Sequence, residues 1–267
     1  GVRLVDGSTL EAGRVLLCAG VLHTPLVLLR SGIGPADALR AQDIEVLVDQ
    51  PGVGRHWTDH MVIQLSTPID ESLVRPGARG IQVLARLTAP DSPFSNDLQI
   101  TPWCERTGKD AYQLNLSVSL QQPFGEASVS LASADPSARG DFAWLFPSEP
   151  RNIERLRFGH RTAVRLLSAS GVSVDTEGLA RADARSDEEI DRWIGEQHGA
   201  FYHGVGSCRM GKDEASPIDL ELAVRGTEDL FVIDGASIPR VSRSNTHIVI
   251  AALAERAAAM LSGREAL

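Results

Sequence analysis

Two short runs near opposite ends of the sequence constrain its fold more than anything between them. Arg14-Val15-Leu16-Leu17-Cys18-Ala19-Gly20 and Leu230-Phe231-Val232-Ile233-Asp234-Gly235 are each largely apolar and each stops at a glycine. An unbroken apolar run of this length, cut off by glycine, reads as a strand buried on both faces of a parallel sheet. Helix punctuation follows both. After the first run, Thr24 reads as an N-cap and Pro25 as the first helical residue, where its missing N–H costs nothing. Leu26 to Arg30 would form the body, and Ser31-Gly32-Ile33-Gly34-Pro35 the stop. After the second, a helix of small residues is expected from about Thr246 to Leu261, with Gly263 as its C-cap. The pattern implies one α/β unit assembled from both ends of the chain. Residues 1–5 and 14–18, flanking a turn at Asp6-Gly7-Ser8, would make a hairpin-like pair.

The intervening sequence has a different period. Met61–Leu65, Gly80–Leu87, Leu98–Thr101, Leu114–Leu120 and Ala127–Leu131 alternate apolar and polar residues, which points to an antiparallel sheet. Glu149 to Leu167 and Ser186 to His198 carry apolar residues at helical spacing. The expected fold is therefore one α/β unit with an inserted α+β domain built on an antiparallel sheet. The expected boundaries are 1–64 and 213–267 for the α/β parts and 65–212 for the insertion.

Charge narrows the function classes. The 267 residues carry a formal charge of −9, with no dense run of Lys and Arg, which argues against binding nucleic acid through its phosphates. Asp187, Glu188, Glu189 and Asp191 form one acidic cluster, read as the solvated start of a helix. Cys18, Cys104 and Cys208 are odd in number and far apart, so no disulfide framework is implied and a reducing cytoplasm is the expected location. No apolar stretch reaches the roughly 18 residues that a bilayer span needs. The chain opens Gly1-Val2-Arg3-Leu4-Val5, without methionine and already in a strand pattern, as expected of a truncated or processed polypeptide.

Four segments then share one resemblance. They are Gly20-Val21-Leu22-His23-Thr24-Pro25 through Gly34; Pro51-Gly52-Val53-Gly54-Arg55 closing with Asp59-His60; Tyr202-His203-Gly204-Val205-Gly206-Ser207-Cys208-Arg209-Met210-Gly211; and Val232 to Pro239 leading into Asn245-Thr246-His247. In this order they resemble motifs of the glucose-methanol-choline (GMC) oxidoreductases, a family of FAD-dependent enzymes. The resemblance implies that the α/β unit is an FAD-binding, Rossmann-like unit, incomplete in this sequence, with an inserted α+β substrate-binding domain. It also implies oxidation of the CH–OH group of a small-molecule alcohol by an oxidase or a dehydrogenase, with oxygen or another molecule as electron acceptor.

The residue chemistry suits that reaction. Removing a hydride from an alcohol carbon requires the hydroxyl proton to leave, and a neutral imidazole accepts a proton near neutral pH. Carried over by motif, His203 is the base and His247 holds and orients the alcohol oxygen, though the two roles could be shared or reversed. The resemblance places Asp234, Gly235 and Ala236 beside the cofactor diphosphate and ribityl. It places Thr246 and Ile248 at the flavin end of the last helix, whose positive dipole end would favour negative charge on the ring. Asn245 is either the cap of that helix or a flavin contact.

Other signals carry less. His56 and His60 have helix-face metal spacing but no third ligand, so no metal is expected, and Cys208 is not expected to be a nucleophile. Cys18 should be inert in a buried strand. No Gly-x-Gly-x-x-Gly fingerprint is present, and in the family it lies upstream of the position of Gly1. The chain is thus expected to supply the catalytic side without the ADP-binding half, to hold FAD poorly by itself and to be inactive alone. Two rival readings remain: a hydroxynitrile-lyase-like enzyme that keeps FAD without net redox, and a non-catalytic chain needing a separate N-terminal half. Residues 61–200 match the family least, so the motifs name no substrate.

Overall fold

The computed structural model describes residues 1–263 apart from Pro76, Ala78, Asp110 and Leu145. Internal contacts divide the chain into two compact units. The first comprises Gly1–Asp59, Gly125–Leu145 and His203–Leu267; the second comprises His60–Phe124 and Phe146–Tyr202. The sequence suggests division points at 64/65 and 212/213, whereas the contacts divide at 59/60 and 202/203 and return 125–145 to the first unit.

The chain opens in the first unit with an antiparallel pair, β1 (Val2–Arg3) and β2 (Thr9–Leu10). The partner of the first strand is therefore Thr9–Leu10 and not residues 14–18. The turn closes locally, through Leu4 N–H to Ser8 C=O at 2.8 Å and Gly7 N–H to Leu4 C=O at 3.0 Å, so the chain returns at once. That leaves β3 (Val15–Leu17) to pair elsewhere. Next come α1 (Thr24–Arg30), β4 (Ile33–Gly34), α2 (Ala36–Arg40) and β5 (Val48–Asp49), with β4 and β5 parallel.

The second unit begins with β6 (Met61–Ile69), β7 (Ala85–Leu87), β8 (Leu98–Arg106) and β9 (Tyr112–Leu120). β10 (Ser128–Leu131) and β11 (Gly140–Ala143) then pair antiparallel inside the first unit, so the expected strand at 127–131 lies outside the large sheet. The second unit resumes with α3 (Pro150–Ser170), α4 (Thr176–Asp183), α5 (Asp187–Gln197) and β12 (Gly199–Ala200). Its sheet is antiparallel throughout, in the order β12-β6-β9-β8-β7. The chain ends in the first unit with β13 (Leu230–Val232) and α6 (His247–Ser262).

In the second unit the period-2 pattern does the sorting. Met61, Ile63 and Leu65 of β6, Leu98 and Ile100 of β8, and Leu116, Val118 and Leu120 of β9 are buried and share one face of the sheet. α3 closes on that face so tightly that a Cβ on Gly159 would lie 2.5 Å from Val118 Cγ1. The helix begins at Glu149 and Pro150 and ends at Gly171 in the left-handed region, φ 68°. A buried ion pair, Arg155 Nη1 to Asp97 Oδ2 at 3.0 Å, ties α3 to the turn before β8. α5 starts with the reciprocal capping box of Ser186 and Glu189. Among the described residues no helix is long and apolar enough to cross a membrane.

Candidate functional site

The site in the first unit is organised by one carboxylate. β13 runs parallel to β3, with Leu230 opposite Val15, Phe231 opposite Leu16 and Val232 opposite Leu17. Both strand ends reach Asp234, which is buried and extended. Its Oδ2 accepts the Gly20 N–H at 2.8 Å and the Thr24 hydroxyl at 2.6 Å, while its Oδ1 accepts the Ala236 N–H at 2.7 Å. Three donors on one carboxylate pin the exit of β3, the start of α1 and the turn 235–237 together. Thr24 therefore does not cap α1. The N-cap position is His23, with no side-chain cap, because the Thr24 hydroxyl is drawn to Asp234.

The 235–237 turn in turn holds the His203 segment. Gly206 N–H donates to Gly235 C=O at 3.0 Å, Cys208 N–H to Ala236 C=O at 2.9 Å and Met210 N–H to Ser237 C=O at 2.8 Å. Upstream, Thr58 and Val205 exchange N–H to C=O bonds at 2.9 Å, and the His203 N–H donates to the buried Asp59 Oδ1 at 2.9 Å. Tyr202, just before, is 93% exposed with a left-handed backbone, φ 59°. A bulky residue at positive φ is strained, and here the strain sits beside the candidate base. His203 itself is half-buried, and that burial pulls its pKa below the ordinary histidine value.

Gly235 is where the separate motifs meet. A Cβ there would lie 3.2 Å from Gly204 C=O and 3.4 Å from Ile250 Cδ1. Gly204 is the neighbour of His203, and Ile250 lies in the first turn of α6, which begins at His247. His247 is exposed, as are Asn245 and, at 78%, Ile248. Thr246 occupies the N-cap position, is buried, and makes no side-chain capping bond. The leading N–H groups of α6 thus have no side-chain cap at that position, and an apolar residue stands at the surface next to them. Gly235 and Ala236 are both buried, and the Ala236 N–H and C=O are both bonded within the protein.

His56 Nδ1 lies 2.7 Å from Glu126 Oε2, and among the described residues no group of three His, Cys, Asp or Glu could hold a metal. Cys208 is fully buried, and burial pushes its thiol far above the ordinary range, so it is no nucleophile at neutral pH. Cys18 is exposed, not enclosed in a doubly buried strand, and Leu16 beside it is 48% exposed. In β3 only Val15 and Leu17 share the half-covered side, so alternation turns Leu16 outward.

Two site residues escaped the sequence reading. Asp59 was read only as part of a motif, yet it anchors the His203 backbone. The Trp57 indole lies where a Cβ on Gly204 would meet Nε1 at 2.6 Å, which is why residue 204 is glycine. The adjacency of Asp59 to a motif loop was the available signal for the first. The second had none.

Family models described as GMC oxidoreductase match residues 2–62 and 123–254. The chain belongs to the GMC oxidoreductase family. Among GMC relatives, choline oxidase of Arthrobacter globiformis is 29% identical over 288 residues, covering 100% of this chain and 53% of its own length. The 5-(hydroxymethyl)furfural oxidase of Methylovorus sp. is 30% identical over 274 residues, covering 93% of this chain and 50% of its own. A formate oxidase structure from Aspergillus oryzae superposes with a TM-score of 0.81 at 21% identity, over 94% of this chain and 54% of that one. The chain spans about half the length of the curated relatives it matches. The GMC family is FAD-dependent, and its FAD-binding fold with a sheet-based domain is the fold seen here.

Proposed function

We propose that the chain carries the proton-handling and substrate-positioning part of an FAD-dependent oxidoreductase acting on the CH–OH group of an alcohol. One observation supports this most: Gly235 lies against both Gly204, next to His203, and Ile250, one turn beyond His247. Two histidines far apart in sequence are thereby attached to one buried turn. The residues also fit a flavin nucleotide. The α6 terminus offers backbone N–H donors and the positive end of a 16-residue helix, and Ile248 offers an apolar surface beside them.

FAD, when bound, supplies the hydride acceptor. The work of this chain is to hold the alcohol and take its proton. His203, kept neutral by burial, accepts the proton from the substrate hydroxyl oxygen, and Asp59 fixes its backbone. His247 donates a hydrogen bond to the same oxygen and sets the carbon's orientation. Asp234 keeps the turn in place through its three protein donors, and Gly235, Ala236, Asn245, Thr246 and Ile248 line the cofactor side. We read the first unit as cofactor-binding and the second as substrate-binding.

The test is anaerobic flavin reduction of the FAD-loaded protein across a panel of alcohols, followed by admission of air. Bleaching by an alcohol supports the reading, and a His203→Ala variant should bleach about 10²–10⁴-fold more slowly. Alcohol-independent flavin together with cyanohydrin cleavage would replace oxidation by lyase chemistry.

A further inference from the structure

The first unit holds a cavity that none of His203, Asp234 and His247 lines. It measures about 310 Å³ and lies between α1, α2, the loop 53–55 and β10. Leu29, Leu39, Val53 and Val129, all buried, give it an apolar floor. Gln42, Ser128 and Ser130 stand at its more open rim, together with the exposed Arg55. An apolar floor under a few polar groups is the usual make-up of a small-molecule site, and the volume is at the lower end of that class.

Backbone bonds hold the walls apart. Val129 N–H donates to Gly54 C=O at 2.8 Å, Gly54 N–H to Ser207 C=O at 2.7 Å, and Gln50 N–H to Gly34 C=O at 2.9 Å. Gly54 sits so close to β10 that a Cβ on it would collide with the Val129 carbonyl. The hollow is therefore fixed by the backbone and is not closed by a shift of side chains. Arg55 is the one charged side chain among the described residues that line it. Its guanidinium has no ion-pair partner among the described residues, while Glu126, just before β10, is taken up by His56 at 2.7 Å.

We propose that this cavity binds a medium-chain monocarboxylate, with its carboxylate on Arg55 and its hydrocarbon chain on the floor of Leu29, Leu39, Val53 and Val129. Size sets the chain. At about 30 Å³ for a group the size of a water molecule, the cavity holds roughly ten non-hydrogen atoms, as many as an eight-carbon acid has. Charge sets the head. One guanidinium matches one carboxylate in a bidentate pair. A phosphate would bring a second charge that no other lining residue meets, and an ammonium would be repelled.

Titration calorimetry of the FAD-loaded protein with octanoate tests this, and it needs no turnover. Butanoate, four methylenes shorter, should bind at least about tenfold more weakly, and dodecanoate should gain nothing over octanoate because the cavity is full. Octanamide, the neutral analogue, should be about fivefold weaker, which is the worth of an ion pair at an exposed rim. Arg55→Gln should weaken octanoate by the same factor and leave octanamide unchanged. Ser130→Glu, at an exposed rim position, sets a competing carboxylate at the cavity and should act like Arg55→Gln, should the latter not fold. Ala38→Trp, on the exposed side of the α2 wall, fills the space and should abolish binding of both. Absence of octanoate binding overturns the proposal, as does equal affinity for octanoate and octanamide. Affinity that keeps rising through dodecanoate, or that survives Ala38→Trp, places the chain on some other apolar surface and also overturns it. Self-association lost in Ala38→Trp, without octanoate binding, gives the cavity to a second copy of the chain instead.

Discussion

Replacing Asp234 by Asn tests how much of the first unit hangs on one side chain. Asp234 Oδ1 accepts from Ala236 N–H, and that bond survives in the amide. Oδ2 accepts from both Gly20 N–H and the Thr24 hydroxyl, and in Asp234→Asn it becomes an NH2 group. The Thr24 hydroxyl can rotate to accept from it. The Gly20 N–H cannot, and meets a donor instead of an acceptor. Losing a charge-assisted bond and leaving one amide unpaired sums to about 2–4 kcal/mol. At about 2–4 °C per kcal/mol for a chain of this size, the melting temperature should drop by roughly 5–15 °C. Thermal unfolding by circular dichroism reads this directly. Thr24→Val removes one neutral donor and should cost about 1 kcal/mol. The double variant should fall short of additivity by at least about 0.5 kcal/mol, since both changes act on the same bond. An Asp234→Asn protein within about 0.5 kcal/mol of wild type would refute the bracket.

Three further outcomes follow from particular contacts. Burial pulls His203 below its ordinary pKa of 6.5, so its neutral form persists to lower pH; the acid limb of kcat/KM should break below 6.5, and a break above it would contradict His203 as the buried base. His160 is fully buried with Nδ1 unpaired, and burial holds its pKa at about 4. Between pH 6.5 and about 4 the unfolded chain takes a proton that the folded chain refuses, so stability should fall by about 3 kcal/mol as pH drops through that window and level off below it. Urea midpoints of wild type against His160→Phe measure the slope, which should be weaker in the variant. Gly159→Ala places a methyl 2.5 Å from Val118 Cγ1 and should destabilise by about 1–3 kcal/mol despite better helix propensity; adding Val118→Ala should recover part of the loss, and a stabilised single variant would show that α3 is not packed as described.

Much of the fold is legible locally because local rules write it. The period-2 runs at 61–65, 98–101 and 114–120 became the central strands, Ser186 and Glu189 announced α5, and Gly263 at φ 68° closes α6. α4 was missed: eight residues with Gly178 inside and no buried side chain leave little periodic signal, and its start depends on the Asp175 carboxylate accepting the Gly178 N–H. The motif residues of the candidate site were legible as a set of types and spacings. What holds them was not.

By itself, the sequence determined the family, the alternation of apolar faces and the pair of histidines worth testing. Only the tertiary structure decided that β3 pairs with β13 and not with residues 1–5, and that Thr24 serves Asp234 and not its own helix. Only it decided that Asp59 holds His203. The reason is physical. Periodicity records which side of an element is apolar, a property of neighbours in sequence. Which donor meets which acceptor, and what covers a polar face, depends on groups brought together from far along the chain and leaves no local trace.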